Sequence, residues 1–168
     1  DHVGSIRALL ARDPETSVVA LAAELPNIRR EVTYQVAASE VLPHLYRARF
    51  ARWMCHAIRA GGLGEVAVES VEPVTAGVEL ELSGQRVVPE WTPGHTPGHA
   101  AYLLPSHAVV ATGDALITGH AVSTAVGRQL LHPMFHHDVA QATETFVAAA
   151  DRWSRFTLLP GHGSFSRP

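Results

Sequence analysis

"WTPGHTPGH", Trp91 to His99, sets two imidazoles four residues apart on a segment holding two prolines and two glycines. Proline fixes φ and removes a backbone donor, and glycine admits turns that a Cβ would hinder, so neither strand nor helix continues through it. An alternating run, residues 86–91, leads into it and reads as a strand with one solvated face. Histidines in a turn that closes a strand are held on a rigid scaffold. Two more segments repeat this grammar: "VVATGDAL" ends a strand at Asp114, and "TLLPGHG" ends one at His162. A fourth segment, Asp1-His2, opens the chain ahead of a helix. His95, His99, Asp114, His162, Asp1 and His2 are thus candidates for one site, and nitrogen with carboxylate donors suits zinc or a neighbouring transition metal.

Composition agrees with that chemistry. The 168 residues fit one ordinary domain, and 46% hydrophobic with 17% charged residues marks a globular chain able to bury a core. The formal charge of −3 disfavours a nucleic-acid partner. No apolar run approaches the length of a bilayer span, so no membrane partner is expected. A single cysteine, Cys55, forms no internal disulfide. Histidine is in excess: eleven are present, nine of them after residue 50. The start carries no basic segment followed by an apolar one, so no signal peptide is read there, and a cytoplasmic location is expected. It carries no Met either, and the chain is expected to be cut at its ends.

Helices are expected over residues 3–11, 43–60 and 138–153. The second has Leu45, Tyr46, Phe50, Trp53, Met54 and Ile58 at three- and four-residue spacing. The third opens at Asp138 with Gln141 three residues on, a capping pattern. Strands are expected at 17–21, 65–71, 78–82, 86–91, 100–104, 108–112 and 157–159. Strands in succession with flanking helices predict a layered α/β or α+β domain.

The motifs "TPGHTPGH", "GDAL" and "PGHG", in this order, resemble the metallo-β-lactamase-fold hydrolases, which include glyoxalase II-like thioesterases and lactonases. "DHVGSI" is similar to the end of that family's His-x-His-x-Asp-His motif and the helix that follows. The resemblance implies an αββα four-layer sandwich, here lacking its N-terminal part, as a single domain over 1–168 with a helical insertion around 37–62. It implies that His99 binds a first metal, that Asp1, His2 and His162 bind a second, and that Asp114 bridges the two. His95 and Thr96 would then support the ligands. Two zinc ions are expected, with iron or manganese as alternatives. The implied reaction is attack of a metal-bound hydroxide on a thioester, ester or lactone, with Asp1 and Asp114 as the catalytic carboxylates and Asp1 orienting the nucleophile. The sequence departs from the family in showing no His-x-His before Asp1. A mononuclear iron enzyme similar to the persulfide dioxygenases, and a non-catalytic partial module that binds a partner, are the other readings; a homodimer is possible in any of them.

Among the remaining histidines, His120 follows "GDALITG" closely and is expected to face the site. His136, with His132 and His137, either lines the pocket or belongs to a loop before the Asp138 cap. The segment around 43–60 either packs an apolar stripe on the core, leaving Arg47, Arg49, Arg52 and Arg59 solvated, or forms a lid over the pocket.

Overall fold

A computed structural model of the chain describes residues 4–34, 36–62, 64 and 66–168. Its α-helices are α1 (Ile6–Arg12), α2 (Leu25–Ile28), α3 (Ala38–Val41), α4 (Ala48–Arg59) and α5 (Val139–Arg152). Its strands are β1 (Val19–Leu21), β2 (Glu72–Val74), β3 (Leu80–Leu82), β4 (Gln85–Trp91), β5 (Ala100–Leu104), β6 (Val109–Gly113) and β7 (Thr157–Pro160). The mixed α/β class expected from the sequence is observed: the described residues form two sheets, with α5 against the larger and α1 and α2 beside the smaller.

The larger sheet has the order β3-β4-β5-β6-β7, antiparallel except for the parallel pair β6–β7. β3 and β4 join through Ser83 and Gly84, both with positive φ (50° and 75°), the backbone of a two-residue hairpin whose twist suits the strands. Pro89 sits inside β4 without breaking it. β3 covers β4 only over Gln85–Val87, so the missing N–H of Pro89 faces the side where β3 has ended, and its carbonyl there accepts from Gly77 N at 2.7 Å.

The main core lies between this sheet and α5. Ala149 and Trp153 pack on Ala101, Val110, Leu116 and Leu158, all 3% exposed or less. Each large apolar side chain so buried contributes about 1.5–3 kcal/mol. The Trp153 indole N–H is not stranded, since it donates to Glu90 Oε2 at 3.4 Å. The α5 start matches its sequence signal: Asp138 Oδ1 accepts from Gln141 N at 3.0 Å. A second cluster of Ala20, Ile28, Val68 and Val71 lies beside the parallel pair β1–β2, with Ile6 and Leu10 of α1 against it.

Three expected elements differ. The helix anticipated over 43–60 is a 3-10 turn, Leu42–His44, followed by α4 from Ala48; between them Arg47 is extended (φ −87°, ψ 117°). The apolar spacing survives the break because His44 stacks on Phe50, ring centroids 4.9 Å apart, so residues on both sides of it face the same interior. Residues 66–71 form no strand. Val68 and Val71 are both buried, but the backbone there bonds to Ile28 O through Val68 N, and pairing with β1 begins only at Glu72. The first helix begins at Ile6 rather than residue 3, and Val3, like Glu65, lies outside the described residues.

Candidate metal centre

β4, β6 and β7 all run the same way, since β5 is antiparallel to both β4 and β6 and β7 is parallel to β6. Their C-terminal ends therefore meet at one edge of the sheet. The 92–99 loop follows β4, Asp114 follows β6, and His162 follows β7. The β6–β7 register slips between Ala111 and Gly113, a bulge of the kind that re-aims a side chain beside a site. Gly113, at φ 50°, turns the chain there; a Cβ on it would lie 2.6 Å from His99 Nε2.

Asp114 is only 2% exposed, and a buried carboxylate requires partners. His95 Nε2 lies 3.4 Å from its Oδ2 and His162 Nε2 lies 3.6 Å from its Oδ1. Two imidazoles thus face opposite oxygens of one carboxylate. Among the described residues, no three or more His, Cys, Asp or Glu side chains close on a single centre; Asp114 instead lies between two histidines. Nitrogen and carboxylate donors of this kind fit a transition-metal ion. Asp1 and His2, also expected as ligands, lie outside the described residues.

His99 is placed otherwise. Its Nε2 accepts the Asp114 backbone N–H at 3.0 Å, and its Nδ1 lies 2.8 Å from Thr92 Oγ1. A ring nitrogen that accepts an amide proton carries none itself, so the proton sits on Nδ1 and is donated to Thr92. Both ring nitrogens are engaged by the protein. His99 was the expected ligand and His95 its support; of the two, it is His95 that faces the carboxylate, while His99 meets the Asp114 backbone amide.

The 92–99 loop is clamped from both sides. On the α5 side, Asp138 N donates to Gly94 O at 2.9 Å, His137 N to His95 O at 3.0 Å, and Thr145 Oγ1 to Pro93 O at 2.7 Å. On the other side, Glu24 Oε2 accepts from Thr96 Oγ1 at 2.6 Å and from Gly98 N at 3.1 Å, while Glu24 Oε1 accepts from Asn27 Nδ2 at 2.6 Å. Gly98 packs so closely that an added Cβ would lie 2.2 Å from Glu24 N. Thr96, expected to support the ligands, bonds to Glu24. Glu24 had no sequence signal, because the contact spans 72 residues.

Imidazoles and aromatic rings wall the site. His120 meets the His162 ring edge-on at 4.8 Å and that of Phe135 at 5.1 Å, with Trp53 of α4 at 6.3 Å. His136 meets His95 edge-on at 5.8 Å. Burial pushes the His120 pKa down to about 4, with the neighbouring His162 adding to the shift, so this ring is neutral near pH 7. Burial also lowers the pKa of His136 and of His132, the latter with His44 and Arg47 nearby. His120 and His136 thus lie against His162 and His95 respectively, His132 packs against Phe50 and His44, and Cys55 is exposed on α4.

Several solved structures share this fold. A metallo-beta-lactamase family protein of Thermus thermophilus is 19% identical, with a TM-score of 0.57, and the match covers 97% of this chain and 50% of that one. A superfamily protein of the archaeon Sulfolobus tokodaii is 18% identical with a TM-score of 0.62, over 100% of this chain and 59% of that one. A protein solved in a di-iron-bound form, TTHA1623, is 23% identical with a TM-score of 0.57, over 99% and 67%. The chain thus spans about half to two thirds of the length of these structures. A comparison with curated proteins gives no match. Among the described residues, no helix is long and apolar enough to cross a membrane. The family model of the metallo-beta-lactamase superfamily matches residues 1–162, and with the motifs and fold in agreement the chain belongs to that superfamily, whose members are typically metal-dependent hydrolases.

Proposed function

We propose that the protein is a metal-dependent hydrolase of a small acyl substrate, a thioester, ester or lactone, with a two-metal site built around Asp114. The observation that carries this reading is the pair of imidazoles at 3.4 and 3.6 Å from opposite oxygens of one buried carboxylate. His95 would be a ligand of the first metal, His162 of the second, and Asp114 would serve both; Asp1 and His2 complete the second set by resemblance. When bound, the metals supply Lewis acidity and a nucleophile at neutral pH.

The chain's own residues do the remaining work. His99 fixes the Asp114 amide, so the carboxylate leaves the bulge at one angle, and such outer partners commonly set ligand orientation. The neutral His120 and the rings of Phe135 and Trp53 keep one wall apolar, which limits water at the reacting carbonyl. Zinc and iron are both compatible with nitrogen and carboxylate donors, and a fold relative solved with two irons keeps iron in view.

The test is elemental analysis of protein purified from metal-replete culture, alongside a panel of thioesters, esters and lactones. Roughly two metal ions per chain are expected, falling in Asp114→Asn together with all hydrolysis. Metal-free wild-type protein, or undiminished hydrolysis by Asp114→Asn, would refute the reading.

A further inference from the structure

Between α4 and the loop at 121–124 lies a solvent-open groove of about 490 Å³, lined by Arg47, Arg49, Phe50, Arg52, Val122 and Thr124. A second hollow of about 260 Å³ shares Arg49 and Arg52 with it and adds Trp53, His56 and Ala121. Trp53 is the ring that meets His120, and His120 meets His162, so the hollow ends two ring contacts from the Asp114 site. The floor is apolar: Phe50 is 2% and Val122 8% exposed.

The charge of this groove is unbalanced. From Val41 to Gly64 the chain has four arginines and no Asp or Glu, although the whole chain is net negative. Arg49 and Arg52 are three residues apart on one helix, a spacing at which like charges destabilise. Among the described residues none of Arg47, Arg49 and Arg52 pairs with a carboxylate. Two of them are nonetheless held in place: Arg49 Nη1 donates to Ser123 O at 3.0 Å across the groove, and Arg47 Nε donates to the Tyr46 hydroxyl at 3.0 Å. Each guanidinium keeps further donors in a planar fork that matches carboxylate or phosphate oxygens, and it stays charged at every working pH.

We propose that this groove binds the anionic end of the substrate, a carboxylate or phosphate carried on an aliphatic stem that lies along Phe50 and Trp53 toward Asp114. The assignment as a substrate subsite rests on the hydrolase reading above; the anion site itself does not.

Calorimetric titration of the full chain with hexanoate, hexyl phosphate and hexanamide separates the two. Hexanoate or hexyl phosphate binds and hexanamide does not, and the tighter of the two acids identifies the anion. Arg47→Gln/Arg52→Gln weakens binding by about tenfold or more, while Arg59→Gln, on the same helix but outside both hollows, leaves it unchanged. Asp114→Asn also leaves it unchanged, which distinguishes the groove from a carboxylate held at the metal site. Equal binding of hexanamide, full binding by the double variant at unaltered melting temperature, or loss of binding in Asp114→Asn would each overturn the proposal. If the hydrolase reading alone fails, no acyl substrate turns over but the arginine-dependent binding of the acid persists. If both hold, the double variant raises KM for an acyl substrate with a terminal acid and leaves its neutral amide counterpart unaffected.

Discussion

His95 and His99 have the same chemistry and the same turn, and differ in what their ring nitrogens meet. His95 points Nε2 at a carboxylate oxygen; His99 spends Nε2 on a backbone amide and Nδ1 on a threonine. Removing a ligand should therefore cost more bound metal than removing a positioning ring. His95→Ala is expected to lose most of the metal at one position, whereas His99→Ala should weaken affinity by about 10–100-fold, the usual effect of losing an outer partner. Metal titration of both variants checks this, and a greater loss in His99→Ala than in His95→Ala would contradict the proposed ligand role of His95. The sequence reading made His99 the ligand, and the reason the sequence could not separate the two rings is physical. A spacing of four residues in a Pro-Gly turn has no fixed periodicity, unlike four residues on a helix, so it does not say which ring faces inward. Only the bulge at Gly113, which brings the Asp114 amide up to His99, decides it.

The 92–99 loop is regular nowhere, yet it is bonded on both flanks, and the flank that no motif announced is the Glu24 carboxylate. Three donors converge on it, from Asn27, Thr96 and Gly98. Glu24→Gln should destabilise the protein by about 1–3 kcal/mol, because the amide that replaces one oxygen repels a donor where it was accepted. Urea unfolding monitors this, and a change indistinguishable from zero would show the carboxylate to be a bystander. Gly98→Ala should cost a similar amount, about 1–3 kcal/mol of overpacking, since the new methyl meets the Glu24 backbone rather than a side chain that could turn away. Elements bounded by local chemistry were legible in advance: β5, flanked by Gly-His and Pro, and α5, opened by its Asp138 cap. The break before α4 was not, because the His44–Phe50 stack keeps the apolar spacing running across an extended residue.

Across the whole molecule, imidazoles buried in the neutral form couple stability to pH. The His120 pKa falls from the ordinary 6.5 to about 4, and those of His132 and His136 fall below 6.5. As pH drops through 6.5 the unfolded chain takes up these protons before the folded one does. Their contribution is thus complete above about 6.5 and is lost progressively toward pH 4. Thermal melting should fall across that window, with a shallower slope in His120→Asn; an equal slope in the variant would remove His120 from the account. Strand direction has a different consequence. β4, β6 and β7 deliver the loops of His95, Asp114 and His162 to one edge, and the Ser83–Gly84 hairpin lies at the other end of β4, roughly 20 Å away along a seven-residue strand. That hairpin is an anchoring point: a linker attached at Ser83 would fix the molecule to a bead or sensor surface with its chemistry turned toward the solution.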